Sequence, residues 1–486
     1  MSKLIKNEIT KIFKKKSLYI TLLVILAFVI LINVTYKYFF NNGSYSYYSE
    51  GYIAYVKSDL EKLDPNKPSD TKMYIEFKTI LDTYDLYQKY GENSWQAQII
   101  NSNVASYLSE RNTYLYGESK DEQKVKEINA KIDEIINKLN NDDWKYFANL
   151  ELEKAKTTVE GLEKAYNNTE DKQEKQTYKT ELEAERVNLE VAQYRIDKNI
   201  KYGTDFMNTA LSEYATHSKN IIYMDNSNQE LKYAEKQERQ NYIEQREINK
   251  YIIENNIDIN KANDLSSIFK EFFNQYGLFI IVMVIMIAGT IVSEEFNKGT
   301  VKLLLVKPYS RNKILLSKFI TVLFMIVFCI LAVTVMQLIV GGIIFGFDSL
   351  SIPVLKYNFH TNILQQMSIF QYLGISIACK LPIIILLATL SFAFSTLFTN
   401  SAVAIALPLL GYMGSEVINL LAVQYKVTFL KFFVTPNWDF TNYIFGKLPI
   451  MEGLTAGFSA IICIAYFIIM MIPTFMVFKR KNIKNI

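Results

Sequence analysis

Residues 293–318 read SEEFNKGTVKLLLVKPYSRNKILLSK. The stretch is basic and holds two turn signals, Gly299-Thr300 and Lys307-Pro308. It lies between two apolar runs, each long enough to cross a bilayer, for which about 20 apolar residues suffice. A charged turn between two such runs is the inner or outer end of a helical hairpin in a membrane. That reading sets the fold class as an all-α membrane protein.

Working outward, the 486-residue chain is 50% hydrophobic, and those residues are gathered into a few long runs. Six runs have membrane length. They cover residues 18 to about 36, 272–292, 319–347, 373–398, 402–423 and 454–478. The first follows a basic N-terminus and lacks a small-x-small cleavage pattern, so it reads as a retained signal anchor. The third exceeds one crossing, which predicts a tilt, a bend near Gly341-Gly342 or an extension into water. The expected order is an amphipathic interfacial helix (1–17), span one (18–40), a large helical domain (41–264) and span two (265–293). A loop (294–313) and spans three to six with a basic tail (314–486) complete it. Cys329, Cys379 and Cys463 all fall in apolar runs, so no disulfide framework is expected. His217 and His360 stand far apart, and no metal-ligand cluster is formed around either.

Charge sets the expected orientation. Lysines 3, 6, 11, 14, 15 and 16, the basic residues of 298–318, and Lys479, Arg480, Lys481 and Lys484 share one side of a six-span chain. The positive-inside rule makes that side the cytoplasm and places 41–264 outside. Residues 37–270 hold 32 Lys/Arg against 41 Asp/Glu, and the remainder holds 21 against 8. The net charge of +4 therefore hides a sign reversal, which argues against nucleic-acid binding.

The large polar region has few glycines and a helical period. Val125, Ile128, Ile132, Ile135 and Leu139 step by three and four, as do Leu152, Ala155, Val159, Leu162 and Tyr166. Tyr178, Leu182, Leu189, Ala192 and Ile196 continue the seam. Such stripes predict long helices packed side by side, as in a coiled coil. Turns are expected at 140–143 and 167–168, where Asn and Asp cluster. A solvated helical spacer and a specific binding domain both fit this pattern.

Three motifs carry a family resemblance. The first is Glu294-Glu295-Phe296-x-x-Gly299-Thr300-x-x-Leu303-Leu304-Leu305-x-x-Pro308-x-Ser310-Arg311-x-x-Ile314-Leu315-x-x-Lys318. The second is Glu8-x-x-Lys11-Ile12-Phe13-Lys14-Lys15-Lys16, and the third Phe394-Ser395-x-Leu397-Phe398-x-Asn400-Ser401-Ala402. Together they resemble ABC-2 type transporter permeases, the membrane subunits of ABC exporters, with 41–264 as a large insertion. The resemblance implies export of a peptide, lipid, drug or ion. It implies an ATPase-coupling loop built from Glu294, Glu295, Phe296, Gly299, Thr300, Leu304, Pro308, Arg311 and Lys318. It also implies a second permease chain, as a homodimer or a related heterodimer, within membrane lipid. The sequence has no Gly-Lys-Ser/Thr phosphate cradle. The chain is therefore expected to be a transport subunit and not an enzyme, with ATP and Mg held by a separate P-loop ATPase.

Physical reading of the same residues agrees. Ile5, Ile9, Ile12 and Phe13 fall on one helical face with lysines elsewhere, as in an interfacial helix. Thr300 is a candidate N-cap, and Gly299 a candidate helix stop. Two other classes stay open: a scaffold or receptor like type VII secretion accessory and phage-receptor proteins, and a sensor with a coiled-coil outer domain. Finally, Lys380 in span four and Glu416 in span five lie at equal expected depth. Both are costly in hydrocarbon unless paired, hydrated or able to snorkel, so two readings stay open: an intramembrane ion pair, or Lys380 snorkelling outward with Glu416 facing an aqueous vestibule.

Overall fold

A computed structural model describes residues 1–38, 48–91, 94–227, 229–259, 264–301, 309–398, 400–425 and 427–481. The chain divides into two units, Met1–Asn42 with Ile259–Ile486, and Gly43–Asp258. Helix accounts for 79% of the residues.

Among the described residues, six helices of the first unit are long and apolar enough to cross a membrane. They are Lys16–Tyr38, Phe272–Asn297, Arg311–Phe345, Ile369–Leu397, Ser401–Gln424 and Ala456–Arg480, spans one to six. Each overlaps a run read from the sequence. Span two is central: 72% of its apolar window is buried, against 17% for spans five and six. It packs on spans three, four and five, while span one lies along span three and span six along span four.

Span three is one unbroken helix of 35 residues, about 52 Å long at 1.5 Å per residue. That exceeds a hydrocarbon core of about 30 Å. The extra length lies partly at its start, where Ser310 accepts the Lys313 amide as N-cap and Arg311–Lys318 continue the helix. The helix runs through Gly341-Gly342 without interruption. Those glycines serve close packing instead: a Cβ on Gly341 would collide with Leu265, and one on Gly342 with the Phe347 ring.

Beside them lies a buried amide cluster. Asn33 Nδ2 donates to Gln337 Oε1 (2.8 Å) and to the Tyr276 hydroxyl (3.3 Å), and Gln337 Nε2 returns to Asn33 Oδ1 (3.1 Å). All three side chains are fully buried, so spans one, two and three are joined where lipid offers no hydrogen bonds.

One departure from all-α is a hairpin between spans three and four. Strand β1 (Val354–Asn358) pairs antiparallel with β2 (Ile363–Met367), with Val354 opposite Met367 and Asn358 opposite Ile363. Its tip docks on the segment after span five, where the Phe359 amide donates to the Phe445 carbonyl at 2.8 Å.

The second unit is a succession of helices. Glu122–Asn140 buries Ile128, Ile132, Ile135 and Leu139, and Trp144–Asn168 buries Leu152, Ala155 and Val159, as their spacing requires. Asp121, Asp143, Asp171 and Asp205 are N-caps, so part of the region's acidity starts helices. Asp142 turns the chain with a φ of 56° at one expected break, and the other falls after Asn168. The third stripe is corrected. Lys172–Asp197 buries Leu182, Ala184, Val187, Ala192 and Arg195, not Leu189 and Ile196. This helix packs on both Trp144–Asn168 and Phe206–Asp225. Two neighbours need a wider buried face than one heptad seam provides.

Candidate functional site

Helix Ser2–Phe13 buries Leu4, Glu8 and Ile12, positions four apart on one face. A carboxylate thus occupies the centre of the face that packs on span three. The Phe13 ring meets Phe328 edge-on at 4.9 Å and anchors the far end.

Glu8 is met by two ammonium groups. Lys318 Nζ donates to Oε2 at 2.8 Å, and Lys11 Nζ to Oε1 at 3.0 Å. Both ammonium groups also reach Glu295 Oε1 at 2.8 Å. The Lys318 side chain is 1% exposed, and its third donor goes to the Ile291 carbonyl at 3.1 Å. Two cations and two anions therefore alternate in one cluster, dry around Lys318 and Glu8 and open to solvent at Lys11. Burial opposes ionisation of Glu8, but Lys318 and Lys11 outweigh it and hold the carboxyl below its ordinary value. Burial likewise works against the Lys11 ammonium, and Glu295 and Glu8 reverse that and raise its pKa. Lys15 and Glu294 add an outer pair at 2.9 Å.

The third motif joins the same region. Ser395 Oγ accepts the Val292 and Ser293 amides at 3.3 and 2.9 Å, and Ser293 Oγ lies 2.7 Å from Ser401 Oγ. Asn400 caps span five by accepting the Ala402 amide at 2.9 Å. Lys481 Nζ donates to the Thr396 and Leu397 carbonyls at 2.9 and 3.2 Å, capping span four. All three sequence motifs thus converge on the end of the bundle where span two turns.

The coupling residues expected from sequence separate by what they touch. Glu295 and Lys318 turn inward onto the chain's own N-terminal helix, and the partly exposed Glu294 pairs with Lys15 and, at 3.5 Å, with Lys298, so these charges are matched within the chain. Phe296 is buried against Phe478, with ring centres 6.4 Å apart. Arg311 donates to the Lys479 and Lys481 carbonyls at 3.0 and 2.9 Å, capping span six. Gly299 has a φ of 69° and stops helix Ser293–Asn297, as expected of a left-handed residue there. Thr300 is exposed, and its hydroxyl donates to the Glu295 carbonyl at 3.4 Å. Leu304 and Pro308 lie outside the described residues.

The Lys380–Glu416 pair is not formed. Lys380 instead bonds to Asp439, whose other oxygen accepts the Thr441 amide (2.9 Å) and hydroxyl (2.6 Å). Pro382 interrupts the span-four ladder, and one turn earlier the Cys379 carbonyl accepts the Phe440 amide at 3.1 Å. That contact brings Asp439 to Lys380, while Glu416 lies on the exposed side of span five. Equal depth on two helices does not set their rotation.

Sequence reasoning quoted Glu8 and Lys11 but did not place them in the site. A lone carboxylate amid the apolar positions of an amphipathic helix was the available signal. No group of three or more potential metal ligands occurs among the described residues.

With the geometry in hand, comparison with known proteins adds the relationship. The DUF2705 family, described as a protein of unknown function, matches residues 239–484, which include Glu295 and Lys318. The chain belongs to the DUF2705 family. It is similar to the uncharacterized protein YhcI of Bacillus subtilis, at 29% identity over 53% of this chain and 82% of that relative. It is also similar to the uncharacterized membrane protein YdbK of the same organism, at 28% identity over 42% of this chain and 77% of the relative. No solved structure matches it. Six apolar helices and a relative described as a membrane protein make this DUF2705 member a multi-pass membrane protein.

Proposed function

We propose that the chain is the permease subunit of an ABC-2 type exporter, driven by a separate P-loop ATPase. The observation that carries the reading is the cluster of Glu8, Lys11, Glu295 and Lys318. It ties the N-terminal helix, the last turn of span two and the head of span three into one lever. An ATPase pressing on the exposed Asn297, Lys298 and Thr300 would then move three elements together rather than bend a loop. In this reading the basic ends and the lever lie in the cytoplasm and residues 41–264 outside, in keeping with the positive-inside rule. ATP and Mg would be bound by the partner, and a second permease chain would complete the transporter. The substrate class is a peptide, lipid, drug or ion.

The test is affinity purification in mild detergent, followed by ATPase assay in lipid. A stoichiometric P-loop ATPase is expected, with turnover that depends on this chain. Lys298→Glu with Thr300→Asp should lower that association while leaving the thermal stability of the purified chain unchanged. Recovery of the chain without any ATPase from cells expressing both at native levels would overturn the proposal.

A further inference from the structure

The second unit holds a groove whose floor is built by an irregular helix. Trp95–Tyr116 runs as one rod, but Ile100–Val104 form a π turn within it. The extra residue lets Trp95, Ile99, Ile100, Val104 and Leu108 all reach the core, which a regular 3.6-residue period would not permit. Turns of this kind are frequent at functional sites. Here the π turn borders an open cavity of about 800 Å³ shared with helix Trp144–Asn168 and with Tyr202. That volume lies within the range of about 300–1,000 Å³ usual for small-ligand sites.

The groove has two chemically different sides. Ile99 and Phe147 form an apolar floor, and Leu150 stands over it 51% exposed. Ser102, Asn103 and Ser106 line the rim as uncharged hydrogen-bonding groups. Ser102 donates to Asn103 Oδ1 at 2.7 Å and Ser106 to the Asn103 backbone carbonyl at 2.8 Å, while the Asn103 side-chain nitrogen donates to nothing among the described residues. Lys154, also lining the groove, forms no ion pair among the described residues. Glu151 is occupied: it accepts the Tyr202 hydroxyl at 2.8 Å and faces the Arg195 guanidinium at 4.0 Å. The wall carrying Tyr202 is held to the irregular helix by Gln98, whose amide accepts from the Gly203 nitrogen (3.0 Å) and donates to its carbonyl (2.7 Å). The slot thus offers an apolar floor, the Asn103 side-chain N–H groups, the Ser102 and Ser106 oxygens as acceptors, and a lysine that has no ion pair among the described residues.

We propose that this groove binds a peptide segment ending in an apolar residue and a free carboxylate. The apolar side chain lies on Ile99, Phe147 and Leu150, and the carboxylate meets Lys154 and the Asn103 amide. The Ser102 and Ser106 oxygens, whose protons are already donated to Asn103, can still accept a peptide N–H, which a plain acyl chain lacks.

The full chain in lipid nanodiscs is titrated calorimetrically with N-acetyl-Gly-Leu-Phe as the free acid, with its carboxamide, and with decanoate. The acid is expected to bind saturably and roughly three- to fivefold more tightly than the amide, the usual contribution of one exposed ion pair. Lys154→Met should abolish that difference, and Leu150→Asp should weaken acid and amide alike. Both positions are exposed, so the fold is retained. Equal binding of acid and amide by the unaltered chain, or no saturable binding up to about 1 mM, overturns the proposal. So does tighter binding of decanoate than of the peptide acid. None of these outcomes depends on the ATPase-driven reading.

Discussion

Lys318→Met is the sharpest perturbation of the lever. The methionine keeps most of the volume of the buried stem but removes an ammonium that lies 2.8 Å from Glu8 and 2.8 Å from Glu295. Two nearly dry carboxylates then share only Lys11, which is half exposed. Breaking a buried pair by removing one partner costs about 3–5 kcal/mol, because an unmatched charge stays behind. At a few degrees per kcal/mol, the apparent Tm in nanodiscs should fall by roughly 6–15 °C. Adding Glu8→Gln restores charge balance, leaving the Lys11–Glu295 pair at 2.8 Å. The double variant should therefore regain about 1–3 kcal/mol relative to the sum of the two single effects. The same cluster predicts a pH response. The Glu8 carboxyl titrates below its ordinary 4.5 when folded, so its contribution is complete above pH 4.5 and is lost as pH falls through the folded value. Glu8→Gln should remove that part of the acid limb of the Tm profile. A Lys318→Met Tm within about 1 °C of wild type, or a double variant no better than additive, would refute the lever's energetics.

Three further outcomes concern other sites. Asn33→Leu or Gln337→Leu alone should cost about 0.6–1.7 kcal/mol in thermal scans, because the partner amide is stranded in hydrocarbon, while the double replacement should cost less than the sum. Lys380→Met and Asp439→Asn should each lower the Tm, whereas Glu416→Gln, on the exposed side of span five, should leave it unchanged. In the second unit, burial pushes the His217 imidazole below its ordinary 6.5, only partly opposed by Glu213, and its Nδ1 is buried without a partner. Stability from the neutral ring is complete above pH 6.5 and declines as pH falls towards the folded value. Limited proteolysis between pH 7 and 5 should show cleavage in 206–255 rising with acid, and His217→Phe should flatten that rise.

The parts legible in sequence were those governed by local period and length. Ile128, Ile132, Ile135 and Leu139 repeat every three or four residues, and they are buried on one helix. The breaks at 140–143 and after Asn168 were legible because Asn and Asp compete for backbone hydrogen bonds and cap the next helix. The hairpin at 354–367 was missed because two five-residue strands carry too short an alternation to stand out between apolar spans. The buried Arg195 was missed because a third helix on the far side widened the enclosed face.

For the site, the sequence alone determined which segments carry charge and which cross the membrane, since hydropathy and charge are properties of single residues summed along the chain. It did not determine which charges meet. Glu8 and Lys318 are 310 residues apart, and Lys380 and Asp439 are 59 apart. Their pairing depends on how each helix is rotated about its axis and on where a returning segment docks. Those are set by the packing of whole apolar faces, such as Leu4 and Ile12 beside Glu8, and by single contacts such as Phe440 on Cys379. A helix turns about 100° per residue, so a rotation of two residues would carry Glu295 or Lys318 from the cluster into lipid or water. Only the tertiary structure sums enough contacts to choose one rotation for every helix at once.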